Sequence, residues 1–440
     1  MGMTTANGTK KKWLLGLAAC MAVVSLSACG ESGKKPEEQA AKTAADDIGT
    51  GPIPLSIYFT TGKPTAEGFE EIFVQPVKKK YPNIELKMAE GKLDDLVTAN
   101  QVPDLLYTHI GYMYYLDNLN VLEDLNPYIK KYKVDMNRFN PVAIQSIEQV
   151  KPGQITAFPY NLNFGALYYN KDIFNKFGVG FPRDGMTWDQ TIELAQKVTR
   201  VDGVQYKGLI AYSLPRFQRV AGNTFYDPKT KKATLETAEW KSFFDIFTRI
   251  YKIPGNQLAD PNDTLGYNPF IKDRNLAMLA QNNIIPNYLF DASQNGLDWD
   301  VVQFPSLPQR PNIMADADVQ TISVSKVSKH KDAAMQVLIS VTSDDVQMLV
   351  AKKYARLSSL KDPKFKASIG ADSPYLKGKN IAGIFKSDIG LSPFRDEIVG
   401  QGSTLIDKAF VEVYNGQKDV NTALRDANEA LNKFIVEKAR

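Results

Sequence analysis

From Leu55 onward, short apolar runs alternate with amphipathic stretches, a pattern that few architectures other than an α/β fold with helices packed on sheets can satisfy. Apolar runs at 55–59, 84–88, 104–107, 166–169, 208–212, 299–304 and 319–324 are predicted strands. Between them, apolar spacing near 3.6 predicts helices at 67–80, 94–100, 143–150, 188–199, 238–251, 331–341 and 344–352. The helix at Trp188 is the best marked, because Thr187 can cap it and Gln190 can complete a capping box. The end, 403–438, reads as helical. Strands alternating with helices in this way imply mainly parallel sheets flanked by helices. A body of this length is expected to divide into two domains.

The region before Leu55 has a different character. Lys10, Lys11 and Lys12 precede an apolar run from Trp13 to Leu26, which fits a secretory signal. At fourteen residues the run falls short of the roughly 20 needed to span a bilayer. It ends in Leu26-Ser27-Ala28-Cys29, which resembles a bacterial lipobox. That resemblance implies cleavage after residue 28, a diacylglyceryl group on Cys29 and stable anchoring at the outer face of the cell membrane. An ordinary secretory signal with an incidental cysteine is the competing reading. Residues 29–52 carry no aromatic side chain and are rich in Lys, Glu, Ala, Gly and Thr, so they read as a flexible tether.

Much chemistry is excluded by counting. Cys20 would leave with the signal and Cys29 would be lipidated, so the two cysteines of the chain leave the body no disulfide, thiol nucleophile or zinc thiolate. The formal net charge is +4, and losing Lys10–Lys12 brings it near neutral. The longest basic run of the body, Lys78-Lys79-Lys80, fits a solvated helix face, so no nucleic-acid partner is expected. No phosphate loop, dinucleotide fingerprint or nucleophile elbow occurs. The two histidines, His109 and His330, lack metal-ligand spacing, and the acidic stretch 260–264 lacks the glycine and glutamate of a calcium loop. No metal, cofactor or catalytic residue is therefore expected. Asp298 with Asp300, or Asp316 with Asp318, could supply the two carboxyls of a glycoside hydrolase; for the first pair, solvated positions at a strand start are the plainer reading.

Binding residues remain. Aromatics make up 10 % of the chain, and Tyr107, Tyr112, Tyr114, Tyr115, Tyr160, Tyr168, Tyr169, Tyr288 and Trp299 fall at predicted strand ends or loops. Sugar rings stack their C–H faces on such rings while their hydroxyls bond polar side chains, although core packing accounts for most of these aromatics equally well.

Several segments in order resemble the extracellular solute-binding proteins of family 1, lipoproteins of carbohydrate ATP-binding-cassette importers. The strongest is Gly153 through Phe158-Pro159-Tyr160-Asn161 to Leu167-Tyr168-Tyr169-Asn170-Lys171-Asp172, followed by Thr187-Trp188-Asp189-Gln190. Further on come Ala221-Gly222 to Asp227, Ala277-Met278, Phe304-Pro305, Ile322-Ser323-Val324-Ser325, Lys331 to Ala334 and Thr342 to Gln347. The resemblance implies a two-lobed periplasmic-binding-protein-like fold of type II. Lobe I would hold 53–160 plus 311–354, lobe II 161–310 plus 355–440, with hinges at 160–164, 310–316 and 354–357. It also implies a monomeric, lipid-anchored receptor that captures a carbohydrate, an oligosaccharide, between the lobes without altering it and passes it to permease subunits. Contacts carried over on this basis are Thr60, Thr61 and Gly62; Thr108, His109 and Tyr112; Tyr160, Asn161 and Asn163; Asp316, Asp318 and Gln320; and Arg356. Where the family commonly has Gly-x-Trp after Ala277-Met278, this chain has Asn282-Asn283-Ile284, so a frequent stacking platform is missing. An exported glycoside hydrolase and a receptor presenting ligand to a membrane sensor are the alternatives.

Overall fold

The computed structural model describes residues 48–222, 224–314, 318–391 and 395–438. Cys29 and Asp316, with the signal and most of the tether, lie outside these residues.

Eleven strands build two sheets. They are β1 (Ile53–Phe59), β2 (Ile84–Met88), β3 (Leu105–His109), β4 (Phe158–Leu162), β5 (Gly165–Asn170), β6 (Arg200–Asp202), β7 (Val204–Ala211), β8 (Leu276–Asn282), β9 (Trp299–Gln303), β10 (Val319–Val324) and β11 (Leu357–Ser358). The first sheet runs β11-β4-β10-β3-β1-β2 and the second β9-β5-β8-β7-β6. The central strands β3, β4, β5 and β10 are buried or nearly so at every position, as strands covered on both faces must be.

The two sheets are mixed rather than mainly parallel, which corrects that part of the expectation. Only β1–β2, β1–β3 and β7–β8 pair in parallel among these strands. The chain path supplies the reason. β3 and β4 end at the edge where the first sheet meets the second, and β4 hands the chain across through Asn163-Phe164. β10 and β11 enter the first sheet through that same edge, so they must run antiparallel to the strands that leave by it. β5 enters the second sheet likewise and is antiparallel to both β8 and β9.

Each sheet is covered by helices, several of which begin at a capping side chain. On one face of the first sheet, Tyr107, Phe158, Tyr160 and Ile322 pack against Phe73 and Val77 of the helical segment 66–80 and Val337 of the helix Lys331–Val341. Leu106 and Leu162 point the other way, toward Met113 of the helix Ile110–Asn118 and Ile147 of the helix Pro141–Glu148. In the second lobe the helix Trp188–Val198 starts with the expected capping box: Gln190 N–H donates to Thr187 Oγ1 at 3.3 Å and Thr187 N–H to Gln190 Oε1 at 3.0 Å. Trp188 packs on Phe217 and Phe304, and Trp240, Phe243, Phe244 and Phe247 of the helix Ala238–Tyr251 fill the remaining core. The C-terminal helical stretch is two helices, Glu397–Tyr414 and Val420–Lys438, because Gly416 takes a left-handed φ of 69° between them. Among the described residues no helix is long and apolar enough to cross a membrane.

Candidate functional site

Polar residues lie at or beside the ends of the strands that leave or enter the first sheet at its inter-lobe edge: His109 on β3, Asn161 and Asn163 in and after β4, Asp318 and Gln320 around the start of β10, and Arg356 before β11. Ligands of open α/β sheets gather outside such strand ends. Register brings them into one row. Gln320 lies opposite His109 on one side and Asn161 on the other, and Val319 lies opposite Leu162, which Leu357 also faces. Asn163 donates its backbone N–H to the Asp318 carbonyl at 3.1 Å and its carboxamide to Asp318 Oδ2 at 3.4 Å. His109 caps the helix Ile110–Asn118, its Nδ1 accepting the Gly111 N–H at 3.2 Å while lying 3.8 Å from Asp318 Oδ1. Thr60 N–H donates to the Tyr107 carbonyl at 3.0 Å, and its hydroxyl lies 2.6 Å from that of Thr108.

The structure thus brings Thr60, His109, Asn161, Asn163, Asp318 and Gln320 together. Thr108 is fully buried within the sheet, its carbonyl accepting from the Thr321 hydroxyl. Tyr160 is a buried ring stacked on Phe73 and edge-on to Tyr107. Tyr112 is half-buried beside His109 and Tyr115. Thr61 is partly exposed beside Gly62 in the loop after β1. Gly62, with a left-handed φ of 60°, lines a cavity of about 190 Å³ together with Tyr107, Tyr160, Asn287 and Arg356. Burial pushes the Tyr107 and Tyr160 phenols above their ordinary range, against the opposing pull of the Arg356 guanidinium on both. Arg356 Nη2 reaches Asn287 Oδ1 of the second lobe at 3.4 Å, and Asn283 Nδ2 donates to the Ala355 carbonyl at 3.3 Å.

A second cavity, of about 380 Å³, was not foreseen. It lies between the start of the helix Ile110–Asn118 and the second lobe, lined by Gly111, Tyr114, Ser213, Arg216, Arg395 and Asp396 among others. Arg216 sits over the Tyr212 ring at 4.2 Å, and the Tyr212 hydroxyl accepts from Asn282 Nδ2 at 3.0 Å. Asp396 caps the helix Glu397–Tyr414 and accepts the Tyr226 hydroxyl. These residues come from segments far apart in sequence, and no local pattern singles them out.

The other expected aromatics divide as packing demands. Tyr168 and Trp299 are fully buried and Tyr169 nearly so, whereas Tyr288 is 40 % exposed. Ile284, where the missing platform would stand, is buried in the core. Asp298 is paired with Lys171 at 3.1 Å, and Asp300 accepts the N–H groups of Asn380 and Val301. Among the described residues, no group of three or more acidic, histidine or cysteine side chains could hold a metal.

Two α/β lobes joined by three chain crossings, with polar strand ends and two cavities between them, define a solute-binding fold of the type II periplasmic class. Residues 62–348 match the bacterial extracellular solute-binding proteins, and the chain belongs to that family. Among solved structures it resembles a Listeria monocytogenes substrate-binding protein in complex with cycloalternan, at TM-score 0.71 and 21 % identity over 87 % of this chain and 98 % of that one. It also resembles the cyclic α-maltosyl-1,6-maltose binding protein of Arthrobacter globiformis, at TM-score 0.70 and 16 % identity over 88 % and 99 %. At these identities the likeness establishes the fold. In sequence it is 36 % identical over 67 residues to the sn-glycerol-3-phosphate-binding periplasmic protein of Brucella abortus, 15 % of each chain. The chain thus spans only 15 % of the length of such relatives.

Proposed function

We propose that the protein is a receptor that captures an oligosaccharide between its lobes, unaltered, and delivers it to the permease of an ATP-binding-cassette importer. The observation that carries the reading is the row of hydroxyl, carboxamide, imidazole and carboxylate groups along the inter-lobe edge, flanked by tyrosine-lined cavities. Such a surface offers donors and acceptors for sugar hydroxyls and rings for sugar C–H faces. Thr60, Thr61, Gly62, His109, Tyr112, Asn161, Asn163, Asp316, Asp318, Gln320 and Arg356 are its proposed contacts, with Thr108 and Tyr160 supporting them from beneath. Solved neighbours that bind cycloalternan, mannobiose or acarbose support a sugar.

Lobe I is taken to hold 53–162 and the segment from β10 through β11, because β4 runs to Leu162 and β11 pairs with it in the first sheet; this moves the boundaries expected at 160 and 354 and puts the third crossing after Ser358 rather than at 354–357. Lobe II holds 163–310 and the C-terminal helices, with closure about the three crossings. Cys29 carries the lipid that holds the receptor, as a monomer, at the cell surface. A thermal-shift screen tests the ligand: an excess of about 100-fold over Kd stabilises by roughly 2.7 kcal/mol. If only peptides, polyamines or sn-glycerol 3-phosphate raise the melting temperature, the carbohydrate reading falls. The hydrolase alternative requires products to accumulate from labelled oligosaccharides, and the engagement of Asp298 and Asp300 in structural contacts argues against that pair. Replacing Cys29 by Ser should release the protein into the medium; retention in the membrane fraction would refute the anchor.

A further inference from the structure

Two guanidiniums and the first turns of three helices meet at the larger inter-lobe cavity. Arg216 and Arg395, both half-buried, line its volume of about 380 Å³ together with Gly111, Ser213, Asp396 and Gly400. Gly111 belongs to the first turn of the helix Ile110–Asn118 in the first lobe. Ser213 immediately precedes the helix Leu214–Ala221, and Asp396 caps the helix Glu397–Tyr414, both in the second lobe. Each helix start carries the positive end of a peptide dipole, where a cation is ordinarily disfavoured. Here a cation is pressed against such an end: a Cβ on Gly111 would lie 2.9 Å from Arg395 Cζ, so only glycine admits the guanidinium to that turn.

Nearby acids do not balance this wall. Among the described residues that line the cavity, Asp396 is the one carboxylate, and both its oxygens are engaged, Oδ1 by the Val399 N–H at 2.8 Å and Oδ2 by the Tyr226 hydroxyl. Glu397, the next residue, pairs with Lys438 at 2.7 Å. Asp407 acts on Arg216 from outside the lining, with a carboxyl that burial pushes up to about 6. A guanidinium offers five N–H donors in a planar fork that matches the oxygens of a carboxylate or phosphate. Away from bulk water such a charged hydrogen bond is stronger than at an open surface. The cavity also continues the polar row, because His109 caps the helix in which Gly111 lies, and its Cε1 would stand 3.0 Å from that same Cβ.

Resting on the carbohydrate reading, the geometry points to an anionic sugar as the ligand: a unit bearing a carboxylate or phosphate group that Arg395 and Arg216 hold at the helix starts, while its hydroxyls face the row at His109, Asn161 and Gln320. A neutral sugar offers this wall dipoles alone. An anion adds charge-assisted hydrogen bonds worth about tenfold or more in affinity. Because Gly111 belongs to one lobe and both arginines to the other, the bound anion is gripped from both sides and favours the closed form.

Calorimetric titration of the full chain with matched pairs tests this: trigalacturonate against galactotriose, trimannuronate against mannotriose, and glucose 6-phosphate against glucose. Inorganic phosphate and sn-glycerol 3-phosphate serve as anions without a sugar. The acidic member of at least one pair should bind about tenfold or more tightly than its neutral mate, and the class that does so, uronate or phosphate ester, identifies the group. The preference should shrink in raised sodium chloride, which screens charges and leaves neutral contacts nearly untouched. Arg395→Gln and Arg216→Gln should each reduce the preference about tenfold. Should Arg216→Gln lower the melting temperature through its contact with the Tyr212 ring, Arg395→Gln and the salt dependence of wild type give the same readout. Neutral mates bound as tightly as the acids, or a preference that survives Arg395→Gln, overturn the anionic site and leave the carbohydrate reading standing. Binding of sn-glycerol 3-phosphate or phosphate with no sugar bound, and its loss in Arg395→Gln, supports the anion site and overturns the carbohydrate reading. If wild type binds neither sugars nor anions, both fall.

Discussion

Gly208 lies in β7 where the helix Trp188–Val198 crosses the second sheet, and a Cβ added there has nowhere to go. It would stand 2.7 Å from the Ala195 carbonyl carbon and 2.5 Å from Thr199 Oγ1, with the Ala195 carbonyl oxygen closer still. Ordinary contact begins near 3.4 Å, so the helix backbone and β7 must separate by about 0.7 Å or more. β7 cannot yield. On one edge it pairs with β8, and past the short pairing with β6 the buried Asn256 carboxamide accepts the N–H groups of Gly208 and Leu209 at 2.8 and 3.1 Å and donates to the Leu209 carbonyl at 2.9 Å. The helix must therefore shift and carry Trp188, which is wedged between Phe217 and Phe304. Overpacking of a core costs about 1–3 kcal/mol, and a backbone obstacle that cannot rotate away puts Gly208→Ala near the upper end. Urea denaturation followed by tryptophan fluorescence should show a loss of about 2–3 kcal/mol. Thr199→Ala added to it should recover only part, because the Ala195 carbonyl remains. A Gly208→Ala protein within about 0.5 kcal/mol of the parent would falsify the reasoning, since it would mean that helix and sheet are loosely packed here.

Thr187→Ala removes one half of the capping box and should cost about 1 kcal/mol in the same titration; no measurable loss would show that water replaces the cap freely. The Glu71 carboxylate accepts from Lys353 Nζ at 2.6 Å and Tyr354 Oη at 2.5 Å, and these hydrogen bonds hold its pKa below the ordinary carboxylate range. Because the folded-state pKa is the depressed one, the stabilisation is complete above about pH 4.3 and lost as pH falls through the lower folded value. Glu71→Gln should therefore be less stable at pH 7 by about 0.5 kcal/mol, the pair being partly exposed, with the gap closing below about pH 4; a gap that widens in acid contradicts this. At Gly111 an added Cβ would meet the Arg395 guanidinium, its Cζ at 2.9 Å, and His109 Cε1 at 3.0 Å. A flexible arginine can withdraw, so Gly111→Ala should melt within a few degrees of wild type yet bind ligand more weakly by calorimetry; unchanged affinity would mean that Arg395 has no part in the larger cavity.

Several elements were legible because local chemistry and packing agree there. The helices Ala238–Tyr251 and Lys331–Val341 match their predicted bounds, and Trp188–Val198 lies within one residue of its own, since apolar spacing marks all three and Thr237 and Thr187 cap the first and the last. β4 was read only as a crossing, on the family resemblance, and it is a strand that carries Pro159 in its interior. Beside it the pairing with β10 shifts register: Gln320 faces Asn161 and Thr321 faces Pro159, so Tyr160 of β4 is the extra residue, which no sequence pattern announces. The helix Ile110–Asn118 was missed since its tyrosines read as strand-end aromatics, although His109 caps it. Of the candidate site, the segments were visible and the pairing was not. His109, Gln320 and Asn161 become neighbours through strand register alone, and Arg216 and Arg395 meet at one cavity only after the chain has crossed between lobes.

The turn that leads from the helix Asp344–Tyr354 into β11, and that touches the second lobe, shows how binding and closure would be coupled in the proposed receptor. Ala355 ends the helix Asp344–Tyr354 in a left-handed conformation, φ 48°, which costs a non-glycine residue roughly 1 kcal/mol. What offsets that cost comes from both lobes. The Ala355 methyl is fully buried, its carbonyl accepts from Asn283, and the next residue, Arg356, extends its guanidinium to Asn287. Both asparagines follow the end of β8 in the second lobe, while β11, which begins at Leu357, pairs with β4 in the first. Any rotation of the lobes about this point must therefore lengthen or shorten the Arg356–Asn287 contact, at the wall of a cavity proposed to hold ligand. A ligand that bridges Arg356 and the second lobe interacts differently with open and closed states, and only such a difference can shift the balance between them. A ligand confined to the first lobe would bind without closing the protein.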